Sequence, residues 1–364
     1  MVVNQLLTDL EHTFSMLTES QKKYFEQSTV LITGCGGFLG FYFMKFFQKY
    51  SGDLKIKKII CLDNFILGKS KWLDDFENDE RFEIETFDVS KDDISKINHA
   101  KEADYIIHMA SIASPTFYRK YPVETLDANI WGLRMLLDYY STKPIKGLLF
   151  FSSSEIYGDP SDDAIPTTEE YRGFVSCTGP RSCYDESKRF GETMCMLFAQ
   201  KYNLPIVVVR PFNNYGPGMR LTDKRVPADF MKDIVLNKDI VILSNGSPTR
   251  TFCYVADSVA GYLKALVYGK YNYFNIGVES PEISIIQLAE LYVKNGKDIF
   301  DYSGLIKYEK SEDQNYLTNN PQRRCPNIKK AEAELDYNPT ITVEEGIRRF
   351  MKFIEQDDYW RNTL

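Results

Sequence analysis

A short apolar run, Thr29-Val30-Leu31-Ile32, leads directly into Thr33-Gly34-Cys35-Gly36-Gly37-Phe38-Leu39-Gly40 and then into an apolar helical stretch. Few features constrain a fold more. Gly34, Gly37 and Gly40 stand three apart, a spacing that lets the backbone turn tightly, approach a pyrophosphate and pack helix on strand. Alone, such a run is a weak signal. A second strand, Lys58-Ile59-Ile60-Cys61-Leu62, supplies context by ending at Asp63, 23 residues beyond Gly40. From there a carboxylate can bind an adenosine ribose 2′-hydroxyl and repel a 2′-phosphate, so a nucleotide cofactor is expected, NAD rather than NADP.

Further strands follow at Phe82–Phe87 (ending in Asp88-Val89), Tyr105–Ala110, Gly147–Phe151 and Ile206–Val209, alternating with helical segments. That alternation predicts an α/β fold, a Rossmann-type doubly wound parallel sheet with a smaller C-terminal substrate domain. In such sheets ligands bind at the carboxyl ends of the strands. Gly34, Asp63, Asp88, Ala110, Ser153 to Glu155 and Arg210 onward should therefore converge on one cleft. Beyond residue 211, Pro211, Pro217, Pro227 and Pro248 punctuate shorter elements. The expected division is an N-terminal amphipathic helical extension over 1–27 and a cofactor domain over 28–210, to which 251–280 returns. Residues 211–250 and 281–364 form the substrate domain.

Composition excludes several function classes. A formal charge of −7, from 44 Lys+Arg against 51 Asp+Glu, with no basic block, argues against nucleic acid as partner. Seven scattered cysteines lack paired metal-ligand spacing and suggest a reducing cytoplasm. His12, His99 and His108 are too dispersed for a metal site, so no metal is expected. No segment has the roughly 18 to 20 uninterrupted apolar residues of a membrane span. Asp9 and Glu11 interrupt what would be a signal sequence. Leu6, Leu7, Leu10, Phe14 and Leu17 instead fall at helical spacing, which predicts a helix packing on the domain or on a neighbouring subunit.

The chemistry concentrates in two stretches, Ser152-Ser153-Ser154-Glu155-Ile156-Tyr157-Gly158 and, about 27 residues later, Tyr184-Asp185-Glu186-Ser187-Lys188. Tyr184 and Lys188 share one helix face. The lysine is expected to lower the phenol's pKa and to hold the nicotinamide ribose. Tyr184 then serves as general base on a sugar hydroxyl while the cofactor takes the hydride.

From about Thr29 to Phe350 the chain resembles the extended short-chain dehydrogenase/reductases that act on nucleotide sugars, and within them the UDP-glucuronate decarboxylases (UDP-xylose synthases). The stretches that carry the likeness are Ala110–Pro115, Ser154–Pro160, Gly179–Arg189, Phe212–Pro217, Thr249–Phe252 and Pro321–Arg324. The resemblance implies an NAD-dependent carboxy-lyase of polysaccharide biosynthesis, with a UDP-sugar as substrate and a homodimer built on helices near Val123 to Tyr140 and Cys183 to Tyr202. NAD would lie against Gly34, Gly37, Phe38, Leu39, Gly40, Asp63, Asn64, Asp88, Val89 and Ala110, with Tyr184 and Lys188 at its reactive end. Arg250 would contact the diphosphate. Tyr118, Arg181, Asn213, Arg225 and Arg324 complete the expected substrate pocket, Arg181 as candidate partner of an acidic sugar.

Within that family, 4,6-dehydratases carry an Asp-Glu pair at the end of the serine strand, and 4-epimerases usually lack the carboxylate. Here the positions are Ser154 and Glu155. Ser-Glu is the decarboxylase combination: a 4-keto uronate loses carbon dioxide once its enolate is stabilised, with no acid for a leaving hydroxyl. Ser153 and Ser154 can hydrogen-bond the carboxylate or the carbon 4 oxygen, and Glu155 can direct a proton to carbon 5 through water. The expected catalytic set is thus Tyr184, Lys188, Ser153, Ser154 and Glu155; a dehydratase, an epimerase or a regulatory protein without turnover are the alternatives. Gly218, where decarboxylases commonly have arginine, with Arg220, Phe117 and Arg119, departs from the pattern. The sugar therefore remains open between UDP-glucuronate and a uronate modified at carbon 2 or 3.

Overall fold

A computed structural model describes residues 4–313, 315 and 317–362. Two helices, α1 (Gln5–Ser15) and α2 (Glu19–Tyr24), precede β1 (Thr29–Thr33). A capping box between Thr18 and Gln21 starts α2. Next come α3 (Phe38–Tyr50), β2 (Lys58–Asp63), β3 (Phe82–Thr86), β4 (Tyr105–His108), α4 (Pro115–Lys120), α5 (Pro122–Asp127), α6 (Leu133–Tyr140) and β5 (Gly147–Phe151). After them run α7 (Ser182–Tyr202), β6 (Ile206–Pro211), β7 (Asn214–Tyr215), α8 (Val226–Val235), β8 (Ile240–Ile242), β9 (Thr249–Arg250), β10 (Cys253–Tyr254), α9 (Val255–Leu266) and β11 (Asn272–Ile276). Then follow β12 (Ile283–Ser284), α10 (Ile285–Phe300), β13 (Ile306–Tyr308), β14 (Arg323–Arg324), α11 (Lys329–Leu335), α12 (Val343–Gln356) and α13 (Asp358–Arg361).

The main sheet is parallel throughout, in the order β11-β6-β5-β4-β1-β2-β3. Its direction of growth reverses between β1 and β4, the switch point at which an open sheet forms a ligand crevice. Because strand side chains alternate, each strand feeds both faces. Val30 and Ile32, Ile59 and Cys61, and Leu149 and Phe151 join one apolar cluster. Leu31, Ile60, Leu148 and Phe150 join the other, beneath α6 and α7.

The smaller C-terminal lobe is built from three short sheets, β12-β9-β14, β10-β7 and β13-β8, with α8 and α10. It is not sealed off from the main sheet: Ile240, Leu288 and Tyr292 belong to the same continuous cluster as Val30 and Ile32. Residues 251–280 supply α9 and the edge strand β11. The N-terminal extension is two helices rather than one, and α1 is held by more than its apolar stripe. Asp9 is fully buried and accepts from Tyr254 OH at 2.6 Å and from Arg349 at 3.1 Å, whereas Leu7 is 43% exposed.

Candidate active site

The carboxyl ends of the strands open into a cleft of about 570 Å³. Every expected site residue lines it except Asp88. The Asp88 carboxylate turns instead to Ser90 and Lys91, with Asn64 Nδ2 at 3.3 Å. Its strand ends earlier than the sequence suggested, at Thr86, so Asp88 lies in the following turn. Arg210, also expected in the cleft, points behind the sheet ends, where it pairs with Glu192 and donates to Tyr157 OH at 2.7 Å.

The glycine turn is specified by close approach. Gly34 has φ +78°, and a Cβ there would come within 2.8 Å of the Ala110 nitrogen. At Gly40 a Cβ would lie 2.2 Å from the Cys35 carbonyl oxygen, so α3 can meet β1 only through glycine. Gly37 is different: its Cβ would meet only the Gly34 carbonyl, at 3.4 Å, and no side chain caps α3, which starts after it. The open N-terminus of α3 presents N–H groups suited to a diphosphate. Asp63 accepts from Gly36 N–H at 2.9 Å and Phe65 N–H at 2.7 Å, so it also braces the turn it was expected to complement. Burial pushes its carboxyl up, against those two hydrogen bonds. These residues fit a dinucleotide.

Tyr184 and Lys188 project from α7 toward the end of β5. The Lys188 Nζ donates to the Phe151 carbonyl at 2.8 Å, and burial drives its pKa down to about 7. Tyr184 is not acidified as expected. Burial pushes it up to about 12, against a hydrogen bond with Ser153 and with a further push from Glu155 and Asp185. Lys188, turned to the Phe151 carbonyl, does not offset that burial. Tyr118 stacks on Tyr184 with centroids 5.1 Å apart and planes 11° apart.

Ser152 turns away to Glu192, Ser153 accepts from Glu155 N–H at 3.2 Å, and Ser154 is buried. Glu155 is the centre of the strand end. Arg181 binds its Oε2 and Arg324 its Oε1. Burial would raise the carboxyl, but the two guanidiniums outweigh it and hold Glu155 at about 2. Arg181, expected to meet an acidic sugar, and Arg324 thus share a protein carboxylate in this site. Arg181 also donates through Nε to Asp185 at 3.4 Å.

Arg250 lies beside this cluster and donates to the carbonyls of Thr249, Gln322 and Pro321; burial and then repulsion from Arg324 bring it down to about 9. Arg225 pairs with Asp223 and lies 5.5 Å over the Phe38 ring, and Asn213 donates to the Thr251 carbonyl at 2.8 Å. Sequence reasoning passed over Asp185 and Asp223 and gave Arg220 no role. Arg181 and Asp185 are four apart, the one available signal for Asp185. Arg220 ties Leu67, Gly68 and Ser70 to the other rim of the cleft.

A profile of the NAD dependent epimerase/dehydratase family matches residues 30–277. The chain belongs to that family. Its relatives include UDP-glucuronic acid decarboxylase 1 of Xenopus tropicalis, 32% identical over 332 residues, with 91% of this chain and 73% of the relative covered. UDP-glucuronic acid decarboxylase 6 of Arabidopsis thaliana is 32% identical over 327 residues, covering 89% of this chain and 88% of the relative. Among solved structures, the UDP-glucuronic acid 4-epimerase of Bacillus cereus, in complex with UDP-glucuronic acid and NAD, superposes with a TM-score of 0.74 at 24% identity over 90% of this chain and 99% of that one. The last likeness establishes shared fold. Membership of the NAD dependent epimerase/dehydratase family gives the chain its cofactor, NAD.

Proposed function

We propose that this protein is an NAD-dependent decarboxylase that converts a UDP-linked uronic acid, UDP-glucuronate or a uronate modified at carbon 2 or 3, to a UDP-pentose through a 4-keto intermediate. The observation that carries this reading is the buried Arg181–Glu155–Arg324 cluster beside Tyr184. With Arg250 adjacent, three guanidiniums face one ionised glutamate and one aspartate that burial pushes toward neutrality. An acidic sugar supplies the missing anion, which a neutral hexose cannot. Both decarboxylase relatives support the same reaction.

When bound, NAD supplies the hydride acceptor for carbon 4 and returns the hydride at the end. Tyr184 removes the proton of the carbon 4 hydroxyl, with Ser153 hydrogen-bonded to it. The bond from carbon 5 to the carboxylate then breaks, carbon dioxide leaves, and the electron pair passes into the 4-keto group as an enolate. Arg181 and Arg324 stabilise that charge. Carbon 5 takes up one proton, consumed in each turnover, and Tyr184 returns its own proton to the carbon 4 oxygen. Held at about 2, Glu155 is ionised and acts by orienting water, not as a stored acid.

We further infer a cytoplasmic homodimer whose product serves polysaccharide biosynthesis. Val123, Leu126, Trp131, Phe190 and Leu197 are exposed on α5, α7 and the turn between α5 and α6, an apolar surface of the kind that partners cover. All seven cysteines are unpaired, as in a reducing compartment. Among the described residues, no helix is long and apolar enough to cross a membrane.

The test is mass spectrometry of products from a panel of neutral and acidic nucleotide sugars with NAD. Carbon dioxide and a nucleotide pentose from a UDP-uronate, without accumulation of NADH, are expected. Loss of water from a neutral hexose, or an isomer of unchanged mass, with no reaction of any uronate, would overturn the proposal.

A further inference from the structure

Asp185 follows the catalytic tyrosine directly on α7, yet its side chain has no place in the chemistry just described. It is only 6% exposed. Its Oδ2 accepts from Arg181 Nε at 3.4 Å, while the other end of the same guanidinium binds Glu155. Its Oδ1 is buried with no hydrogen-bond partner. A buried carboxylate oxygen left unpaired is costly. Neutralisation of the carboxyl by a proton removes most of that cost.

The groups that act on Asp185 come from every neighbouring element. Arg181 precedes α7, Glu155 follows β5, Arg324 lies on β14, Tyr118 on α4, and Tyr184 and Cys183 on α7 itself. Arg119 on α4 pairs with Asp313, and Glu124 and Asp127 on α5 act on Lys91. Burial first, and then the charge of Glu155, bring Asp185 up to about 7 against the pull of the arginines.

We propose that Asp185 is a positioning residue that fixes Arg181 and takes up one proton from solvent when the carboxylate of an acidic sugar enters the arginine cluster. The inference rests on the uronate reading above. Charge bookkeeping gives the reason. With Glu155 and Asp185 both ionised, a third carboxylate sets three anions against Arg181, Arg324 and Arg250, and of the two protein carboxylates only Asp185 has an oxygen with no donor to offset the repulsion from the sugar. One proton relieves the repulsion, and it goes where the carboxyl is already unpaired and close to neutral. Glu155, gripped by two guanidiniums, stays ionised and Arg181 stays in place.

Calorimetry of UDP-glucuronate binding tests this, with the NAD-loaded Tyr184→Phe variant, whose turnover should be slowed roughly 100-fold or more, in two pH 8 buffers of different ionisation enthalpy. Near-complete ionisation of free Asp185 at that pH implies an uptake approaching one proton. UDP-glucose should bind without uptake. Adding Asp185→Asn should abolish the uptake while Lys188 and Asp229, two other groups of the cleft shifted toward neutrality, are unchanged. In the active enzyme the KM for UDP-glucuronate should rise up to about tenfold per pH unit above 7, and Asp185→Asn should flatten that rise with little change in the pH dependence of kcat. UDP-glucuronate binding without proton uptake, or uptake that survives Asp185→Asn, would overturn the inference. Binding of UDP-glucose but not of UDP-glucuronate would instead refute the uronate reading on which it rests.

Discussion

Glu155→Gln keeps the shape of the side chain at the strand end and removes its charge. Two guanidiniums then lose their shared carboxylate in a site where Glu155 itself is only 21% exposed. Removing one partner of a buried ion pair costs about 3–5 kcal/mol. The displacement of the carboxyl from 4.5 to about 2, at about 1.36 kcal/mol per pH unit, corresponds to about 3 kcal/mol. Asp185, freed from the repulsion of Glu155, takes over part of Arg181, so the lower end of the range is expected. A loss of about 3 kcal/mol should lower the thermal midpoint by roughly 5 °C at pH 7. The pH dependence has a definite sign. A carboxyl depressed in the folded state contributes its full stability above the unfolded value and loses it as pH falls toward the folded one. The part of the gap due to Glu155 itself should therefore be lost below about pH 4.5, and because Asp185, raised by burial and then by Glu155, ionises more easily in the variant, the gap should also shrink as pH rises from about 5 to 8. UDP-glucuronate should raise the midpoint of the variant more than that of wild type, because its carboxylate replaces the missing anion, and UDP-glucose should not. Thermal scans with and without each nucleotide sugar measure both effects. Equal stability of the two proteins at pH 7 would refute the reasoning.

Tyr184→Phe should retain the fold and NAD binding but lose turnover by roughly 100- to 10,000-fold; activity within a few-fold of wild type in a steady-state assay would remove Tyr184 from the mechanism. The protein should bind NAD much more tightly than NADP, and Asp63→Ala should narrow that preference. Equal affinities of the wild type in a fluorescence titration would show that Asp63 does not read the ribose. Because Asp63 also accepts from Gly36 and Phe65, the variant should lose some affinity for NAD as well.

Local patterns carried much of the fold. The apolar runs at Thr29, Lys58, Gly147 and Ile206 each became a parallel strand, because a run buried on both faces of a sheet is apolar at every position. The glycine spacing was equally legible, since a Cβ at Gly34 or Gly40 would collide with backbone whatever surrounds the turn. Asp88 lies two residues past the end of β3, and its carboxylate is held by Ser90, Lys91 and Asn64, partners that no strand pattern announces.

Sequence by itself determined the parallel sheet, the cofactor turn and the Tyr184–Lys188 pair, all set by spacings within one or two consecutive elements. Only the tertiary structure decided the electrostatics of the site. Arg324 lies 169 residues from Glu155 and reaches it through a short sheet of the C-terminal lobe. Burial, which no single segment encodes, holds Lys188 at about 7 and Tyr184 at about 12. A charge's effect depends on how far water has been excluded around it, and that exclusion exists only once distant parts of the chain have closed over the cleft.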